Sequence, residues 1–564
     1  MKRITLFLFI ALGTAIIIGQ PKTSQKLNEN LSVYNIIDVN NIRFYIKDYN
    51  LDASYRTGGD ANWFIEKYNG MGLVFDHGMW LTGKINDNVK SGIREWWYQY
   101  SPGPIIDGQP ALISHPENSD KYRIYKITEG DDETNPDYAD WPVEFGAPVN
   151  MSGNPKLYGN QMLWTVYNLF DTNFVPANSS YIPTSEEKLN YILPVEVRET
   201  VYAHASITNK DDDLLSNIIF IEYEFINKGD VQIDSTFWGF WTDIDFADFM
   251  DNNPLIDTTY QLGLCYSSKD ISGIFAEGTP AVGYTLLFGP QVESPSSTAV
   301  YKGKEVEGKK NLKLNTFHPI MDDSIYMPAD SNNVYPNHLE VNNLMGPIYV
   351  YTQAWNVARG NGAYNIPYYD PYNDEFTNFP FSGDPENEEG WYAYQNNPGH
   401  TLGSGAGFVF FAGPFDFAPA DTQWVMLALI PALGEDNFDS ITKLKNKVDE
   451  LRNMPYDSLS VSSRIITSAD NNAEQLPLKY ELMQNYPNPF NPVTRIEYSL
   501  PNTANVKLEI FNVLGERIEI LFEGLQQPGK YSVDWNASKY SSGVYIFKMT
   551  SGFYINSKKM ILVK

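Results

Sequence analysis

Asn485 to Pro492 reads Asn-Tyr-Pro-Asn-Pro-Phe-Asn-Pro, and a train of short runs follows it: TRIEYSLP (494–501), VKLEIFNVLGERI (506–518), PGKYSVDW (528–535), SSGVYIFKM (541–549) and KKMILVK (558–564). Val506, Leu508 and Ile510 alternate with Lys507 and Glu509, the two-residue period of a strand with one buried and one wet face. Val533-Asp534-Trp535 and Val544 to Met549 give further strands. Leu514-Gly515-Glu516, Pro528-Gly529-Lys530 and Ser541-Ser542-Gly543 supply the turn residues that antiparallel connections need. This predicts a small antiparallel β-sandwich at the C-terminus. An ordinary terminal β-domain explains the strands but not the Pro-Asn-Pro-Phe-Asn-Pro run.

Taken in order from about Leu476 to Lys564, these motifs resemble the type A C-terminal sorting domain of the type IX secretion system of Bacteroidetes and related gram-negative bacteria. The resemblance implies an immunoglobulin-like sandwich that an outer-membrane translocon recognises. Such a tail is usually cleaved, and the cargo is released or attached to surface lipopolysaccharide. The sorting signal then falls on Asn485, Pro487, Asn488, Pro489, Phe490, Asn491 and Pro492, with Gly515, Gly529 and Gly543 at the turns.

The other end of the chain agrees. Met1-Lys2-Arg3 is a basic start, Leu6 to Ile18 is apolar, and Gly13, Ala15 and Gly19 offer small residues for cleavage before Gln20. Residues 1–20 therefore read as a signal peptide for the Sec translocon. The apolar run is shorter than the roughly 20 residues of a spanning helix, so the expected mature protein has no transmembrane span and is secreted or held at the outer-membrane surface.

From Glu481 onward there are nine Lys or Arg against seven Asp or Glu, so the net charge of −28 leaves −30 for the residues before it. Nucleic acid and anionic membrane would both be repelled, while cations would be attracted. Cys265 is the single cysteine and no intrachain disulfide can form. In the apolar run Leu262 to Tyr266 it reads as a small buried hydrophobe.

The body, 21–459, is long for one core. It shows short β-type runs between Asn, Asp, Gly and Pro. Phe220-Ile221-Glu222-Tyr223-Glu224-Phe225-Ile226 alternates acidic and apolar residues, a strand with one wet face. Thr236–Trp241, Tyr260–Tyr266, Tyr284–Phe288, Gly407–Phe411 and Trp424–Ile430 are further strands, which predicts a mainly β, multi-domain protein with an antiparallel sandwich body. One amphipathic helix stands late in the body, with Ile441, Leu444, Val448 and Leu451 on one face behind a cap at Asp439 or Ser440. Ser460 to Gln475 is polar and aperiodic and reads as a linker; residues 361–400 form a long aromatic and acidic loop region.

The body also resembles the large uncharacterised secreted proteins that carry this same tail. The likeness rests on Phe240-Trp241-Thr242-Asp243-Ile244-Asp245, Pro280-Ala281-Val282-Gly283-Tyr284, Phe381-Ser382-Gly383-Asp384-Pro385 and Ala412-Gly413-Pro414-Phe415. It implies one integrated body and no named activity. Gly403-Ser404-Gly405-Ala406-Gly407 stands where that group carries a Gly-Asp-Arg-Arg-like segment, so any role of that segment is in doubt here.

WTDIDFADFMDNNPLID places Asp243, Asp245, Asp248, Asp251 and Asp257 within fifteen residues and includes no Lys or Arg. Such carboxylates either stay solvated in local turns or share a cation, and Ca²⁺ takes roughly 6–8 oxygen ligands of this kind. The glycine and final glutamate of an EF-hand are missing. Glu222, Glu224, Asp243 and Asp245 could alternatively supply the carboxylate pair of glycoside hydrolysis, with Trp96, Trp97, Trp238, Trp241 and Trp391 for stacking on sugars. Against that, aromatics on sandwich strands usually fill the core. The histidines lack zinc-helix spacing, Phe75-Asp76-His77-Gly78 reads as a turn beside a strand, and Ser404 lacks a nucleophile-elbow frame.

The sequence thus points to a protein exported by the type IX system with a non-catalytic adhesion, structural or glycan-binding body. The alternative is a secreted polysaccharide hydrolase. Convergent carboxylates in a cleft beside exposed tryptophans would favour the enzyme; buried aromatics and carboxylates around an ion-sized space would favour the module.

Overall fold

A computed structural model describes residues 34–49, 54–55, 61–64, 71–93, 100–111, 121–171, 185–246, 252–271, 278–321, 325–326, 338–339, 350–362, 365, 367–393, 406–461, 481–500, 504–526, 529–551 and 554–564. The expected signal peptide, Asp248, Asp251, Trp96, Trp97, Ser404 and most of the expected linker lie outside them. No helix among the described residues is long and apolar enough to cross a membrane.

The protein is mainly β and antiparallel. In the body, a nine-stranded sheet contains in spatial order Tyr125–Thr128, Gln161–Asn168, Val195–Ala203, Ile219–Asn227, Thr422–Gly434, Thr279–Phe288, Leu262–Ser267 and Asn252–Asp257, with Ser101–Pro102 pairing beside Gln161–Asn168. A five-stranded sheet runs Leu314–Met321, Ala406–Phe417, Ile233–Ile244, Asp76–Ile85 and Asn88–Gly92. Alternate residues of the two sheets meet in one core: Val197, Val201, Ile221, Tyr223, Val425 and Leu427 face Trp238, Phe240, Phe408 and Phe410. The sheets approach so closely that a Cβ at Gly263 would lie 2.6 Å from the Phe408 ring, which only glycine avoids.

Both outer faces are covered as well. Helix Val350–Ala358 lays Ala354, Val357 and Ala358 on Trp80, Trp241 and Phe411 of the smaller sheet. Helix Asn437–Arg452 lays Ile441, Leu444, Val448 and Leu451 on the larger sheet. Its stripe is the one the sequence predicts, but its N-cap is Asp436, whose carboxylate accepts from the N–H groups of Phe438 and Asp439 at 2.9 Å. The cap lies earlier than expected because Asn437 and Phe438 are themselves helical. The expected linker also begins later: Ser460 is buried and its carbonyl accepts from the Gly159 N–H at 2.9 Å. Within the long loop region, Phe381 and Trp391 anchor into the core.

The tail is a separate sandwich with its own core of Ile496, Tyr498, Leu508, Ile510, Trp535, Phe547 and Met560. Glu481–Leu482, Val493–Leu500 and Gly529–Asn536 form one sheet; Arg517–Gln526, Ala504–Phe511, Gly543–Ser551 and Tyr554–Leu562 form the other.

Candidate functional site

Register places the polar residues of three body strands side by side. Arg198 pairs with Glu224 and Thr200 with Glu222, while Glu224 pairs in turn with Trp424. All of these project from the outer face of the large sheet, because side chains two apart share a face. The expected wet face of the Phe220–Ile226 run is therefore corrected: Glu222 is 3% exposed, roofed by the covering layer. What remains above it is a cleft of about 270 Å³, floored by Arg198, Thr200, Glu222 and Glu224 and walled by Tyr158, Lys302 and Trp424.

Glu222 accepts from Tyr456 Oη at 2.9 Å and Tyr202 Oη at 3.2 Å on one oxygen, and from Trp424 Nε1 at 3.0 Å on the other. Burial still pushes its carboxyl above the ordinary glutamate range, outweighing Lys302 and the three hydrogen bonds. Two residues along, Glu224 accepts from Tyr301 Oη at 2.7 Å and Lys302 Nζ at 3.1 Å, with Arg198 Nη1 at 3.5 Å. Burial alone would push this carboxyl up too, but Lys302, Tyr301 and Arg198 together hold it below its usual range. Tyr301 and Lys302 come from the turn of a hairpin, Gln291–Tyr301 with Lys304–Asn311, that covers the sheet there.

Arg198 is oriented from behind by the buried Glu196, 3.0 Å from Nη2, and Glu196 also accepts the Ile105 N–H at 3.0 Å. Gly146, at φ +89°, lets the guanidinium lie flat against the chain: a Cβ there would sit 2.2 Å from Arg198 Cζ. Tyr158 completes the wall, its phenol driven up by burial and then by Glu222 and Glu224. The two glutamates are roughly 7 Å apart along the strand, inside the roughly 5–10 Å of acid–base pairs. Trp164 and Trp424 are 1% and 0% exposed, so neither offers a face for stacking on a sugar.

The other residues singled out in the sequence fall elsewhere. Asp243 sits near the end of its strand opposite Asp76 in the small sheet, and Asp245 lies just beyond. Burial pushes the Asp245 carboxyl up to about 6, and its buried Oδ1 has no hydrogen-bond partner among the described residues. Asp257 does not join them. Asn252 Nδ2 donates to the Ile244 carbonyl at 3.1 Å, but Asp257 is five residues further along the strand, roughly 16 Å away. There it pairs with Lys445 at 3.0 Å and accepts from the N–H groups of Thr259 and Tyr260 at 3.0 and 3.2 Å. No group of three or more His, Cys, Asp or Glu set to hold a metal is found among the described residues.

Trp238, Trp241 and Trp391 are core residues. His77 stacks between Phe44 and Phe240, and Asp76 accepts the His77 N–H at 2.9 Å. Cys265 is fully buried, its thiol pushed up by burial and by Asp243 and Asp245. Sequence reasoning found Glu222 and Glu224 but missed Arg198, Lys302, Tyr158, Tyr301 and Tyr456. Tyr301-Lys302-Gly303 carried a signal, a turn with an aromatic and a cation at its tip; the others come from distant segments with no shared pattern.

In the tail, Asn485 is buried and its Nδ2 donates to the Pro487 carbonyl at 3.0 Å and Thr494 Oγ1 at 2.9 Å. Phe490 is buried 5.6 Å from the Trp535 ring, and Gly515, at φ +80°, closes its hairpin turn onto the Asn512 carbonyl.

Fold and motif together define a cargo protein carrying a folded export tail. Residues 484–564 match the family model of the secretion system C-terminal sorting domain. That segment is a type IX secretion sorting domain, and the protein is secreted or displayed at the cell surface. Among solved structures the chain is similar to a polysaccharide lyase, at 7% identity and a TM-score of 0.24, over 94% of this chain and 47% of that one. It is also similar to dimeric latent PorU from Porphyromonas gingivalis, at 11% identity and a TM-score of 0.14, over 73% and 33%. The chain thus spans about half and a third of these proteins, and likeness at this level carries no argument about the body. No curated protein matches the chain in sequence.

Proposed function

We propose that the body is a non-catalytic module that binds extracellular or surface glycan in the cleft over Glu222 and Glu224, and that the type IX route delivers it. One observation supports this above the others: both carboxylates are already engaged within the protein. A nucleophile or general base needs a lone pair facing its substrate, whereas Glu222 accepts three hydrogen bonds and Glu224 is held by Tyr301, Lys302 and Arg198. Arg198, Thr200 and the Tyr158 hydroxyl add hydrogen-bonding groups in a cleft the size of a single sugar ring. Release of the cleaved cargo, or its attachment to surface lipopolysaccharide, completes this reading.

Titration calorimetry of the mature protein against a panel of oligosaccharides should detect binding without product release, and Lys302→Met should weaken it. Reducing ends that appear with the wild type and vanish with Glu222→Gln would reverse the assignment. They would favour the alternative, a secreted polysaccharide hydrolase, whose supporting observation is the opposite displacement of the Glu222 and Glu224 carboxyls.

The body is further proposed to take a structural Ca²⁺ at Asp243 and Asp245. The unpartnered Asp245 Oδ1 beside the Asp243 strand supports this. Asp257, engaged by Lys445, is left out of that ligand set.

A further inference from the structure

The Asn-Pro-Phe run and the terminal Lys558–Lys564 run stand at opposite ends of the sorting domain's sequence, and the fold joins them. Asn488 grips the last strand with both ends of its amide. Oδ1 accepts the Ile561 N–H at 2.9 Å, across 73 residues of chain, and Nδ2 donates to the Lys559 carbonyl at 3.3 Å. Phe490 continues the contact: its N–H donates to the Ile561 carbonyl and its own carbonyl accepts the Val563 N–H, both at 2.9 Å. Gln484 Nε2 adds a bond to the Lys559 carbonyl at 2.9 Å.

The physical need is clear. Tyr554–Leu562 is an edge strand that pairs with Gly543–Ser551 alone among the described strands, so its outer N–H and C=O groups require another partner. Pro487 and Pro489, flanking Asn488, have no N–H to donate. The Asn488 side chain supplies the pair of bonds that a neighbouring strand's backbone would otherwise make. Asn488 is itself exposed, so this bonding is separable from core packing, which rests on Phe490.

We propose that Asn488 is a positioning residue for export: it clasps the terminal strand, so the secretion machinery reads a composite surface made by both runs rather than either as a linear motif. The test uses the full chain in a type IX-competent host, with Asn488→Ala and Asn488→Asp. Two quantities are read: the fraction exported, and hydrogen exchange at individual backbone amides of the purified chain.

Asn488→Ala should speed exchange at Ile561 about tenfold, as loss of a single hydrogen bond does. It should lower export several-fold and leave the Val493–Leu500 amides as protected as in wild type. Asn488→Asp keeps the acceptor for Ile561 but loses the donor to Lys559, so it should recover part of both. The idea is overturned if export fails while Ile561 stays protected, which makes the run a linear epitope, or if Ile561 is freed and export is unchanged. Loss of protection throughout the domain would equally overturn it, since Asn488 would then act on folding alone.

Discussion

The strands of the sorting domain and those of the body obey the same alternation and end in different surroundings. In Val493–Leu500 the exposed positions Val493, Arg495 and Glu497 alternate with buried Thr494, Ile496 and Tyr498, because one face of that sheet stays wet. Gln161–Asn168 and most of Val195–Ala203 are buried at every position, because the core covers one face and the segment from Trp141 to Tyr158 covers the other, with Trp141 on Trp164 and Tyr158 on Tyr202. A polar residue at an alternate position is thus a solvated surface group in the tail and a member of an internal network in the body. Glu497 and Glu222 look alike in sequence, and only the second is held by three donors.

Four expectations bear on that contrast, beginning with the largest. Trp424→Ala removes a fully buried ring and a donor to Glu222, and should lower the stability of the body by about 3–5 kcal/mol in thermal unfolding while the sorting domain melts as before. Saturating Ca²⁺ should raise the body's melting transition, worth about 2.7 kcal/mol at a hundredfold excess over Kd. The rise should vanish in Asp243→Asn/Asp245→Asn and survive in Asp257→Asn. Absence of any calcium response in the wild type would dismiss the ion.

Third, Glu222→Leu strands the hydroxyls of Tyr202 and Tyr456 and the indole N–H of Trp424, and should cost about 1–3 kcal/mol in denaturant unfolding. The matching change at Glu497 should be nearly silent. Equal small effects would mean that the cleft face is as wet as the tail's.

The smallest effect is in the pH dependence. Glu222 has a raised folded pKa, so the folded state binds more protons above the ordinary glutamate value of 4.5, and its contribution makes stability fall as pH rises through that window. Glu224 has a lowered one, so its contribution is present above 4.5 and is lost as pH falls below it. Glu222→Gln should therefore flatten the body's stability profile above pH 4.5, and Glu224→Gln should flatten it below, when unfolding is followed across pH.

Much of the architecture is legible in the sequence. The Val506-Leu508-Ile510 alternation, the strands around Phe220, Trp424 and Phe408, and the Ile441-Leu444-Val448-Leu451 stripe are local patterns, and local patterns survive into the fold. The site was only half readable. Glu222 and Glu224 stand out in the sequence as carboxylates on one face, but that alternation reads as a wet face, because nothing near them announces that Tyr301 and Lys302 cover Glu224 and that Tyr456, 234 residues later, covers Glu222. Among the described aspartates Asp243, Asp245 and Asp257 the reason is different. Closeness along the chain suggested closeness in space, and the straight strand Asn252–Asp257 carries the last of them away toward Lys445.

From the sequence alone came the export tail, the mainly β character and the acidity of the body, since each depends on motif order, short-range periodicity or composition. The tertiary structure alone decided that Glu222 is buried, that Arg198 and Lys302 meet Glu224, and that Asn488 holds the last strand. Each of those joins segments far apart in the chain, where burial and register, rather than any local preference, determine which groups share a dielectric and a hydrogen bond.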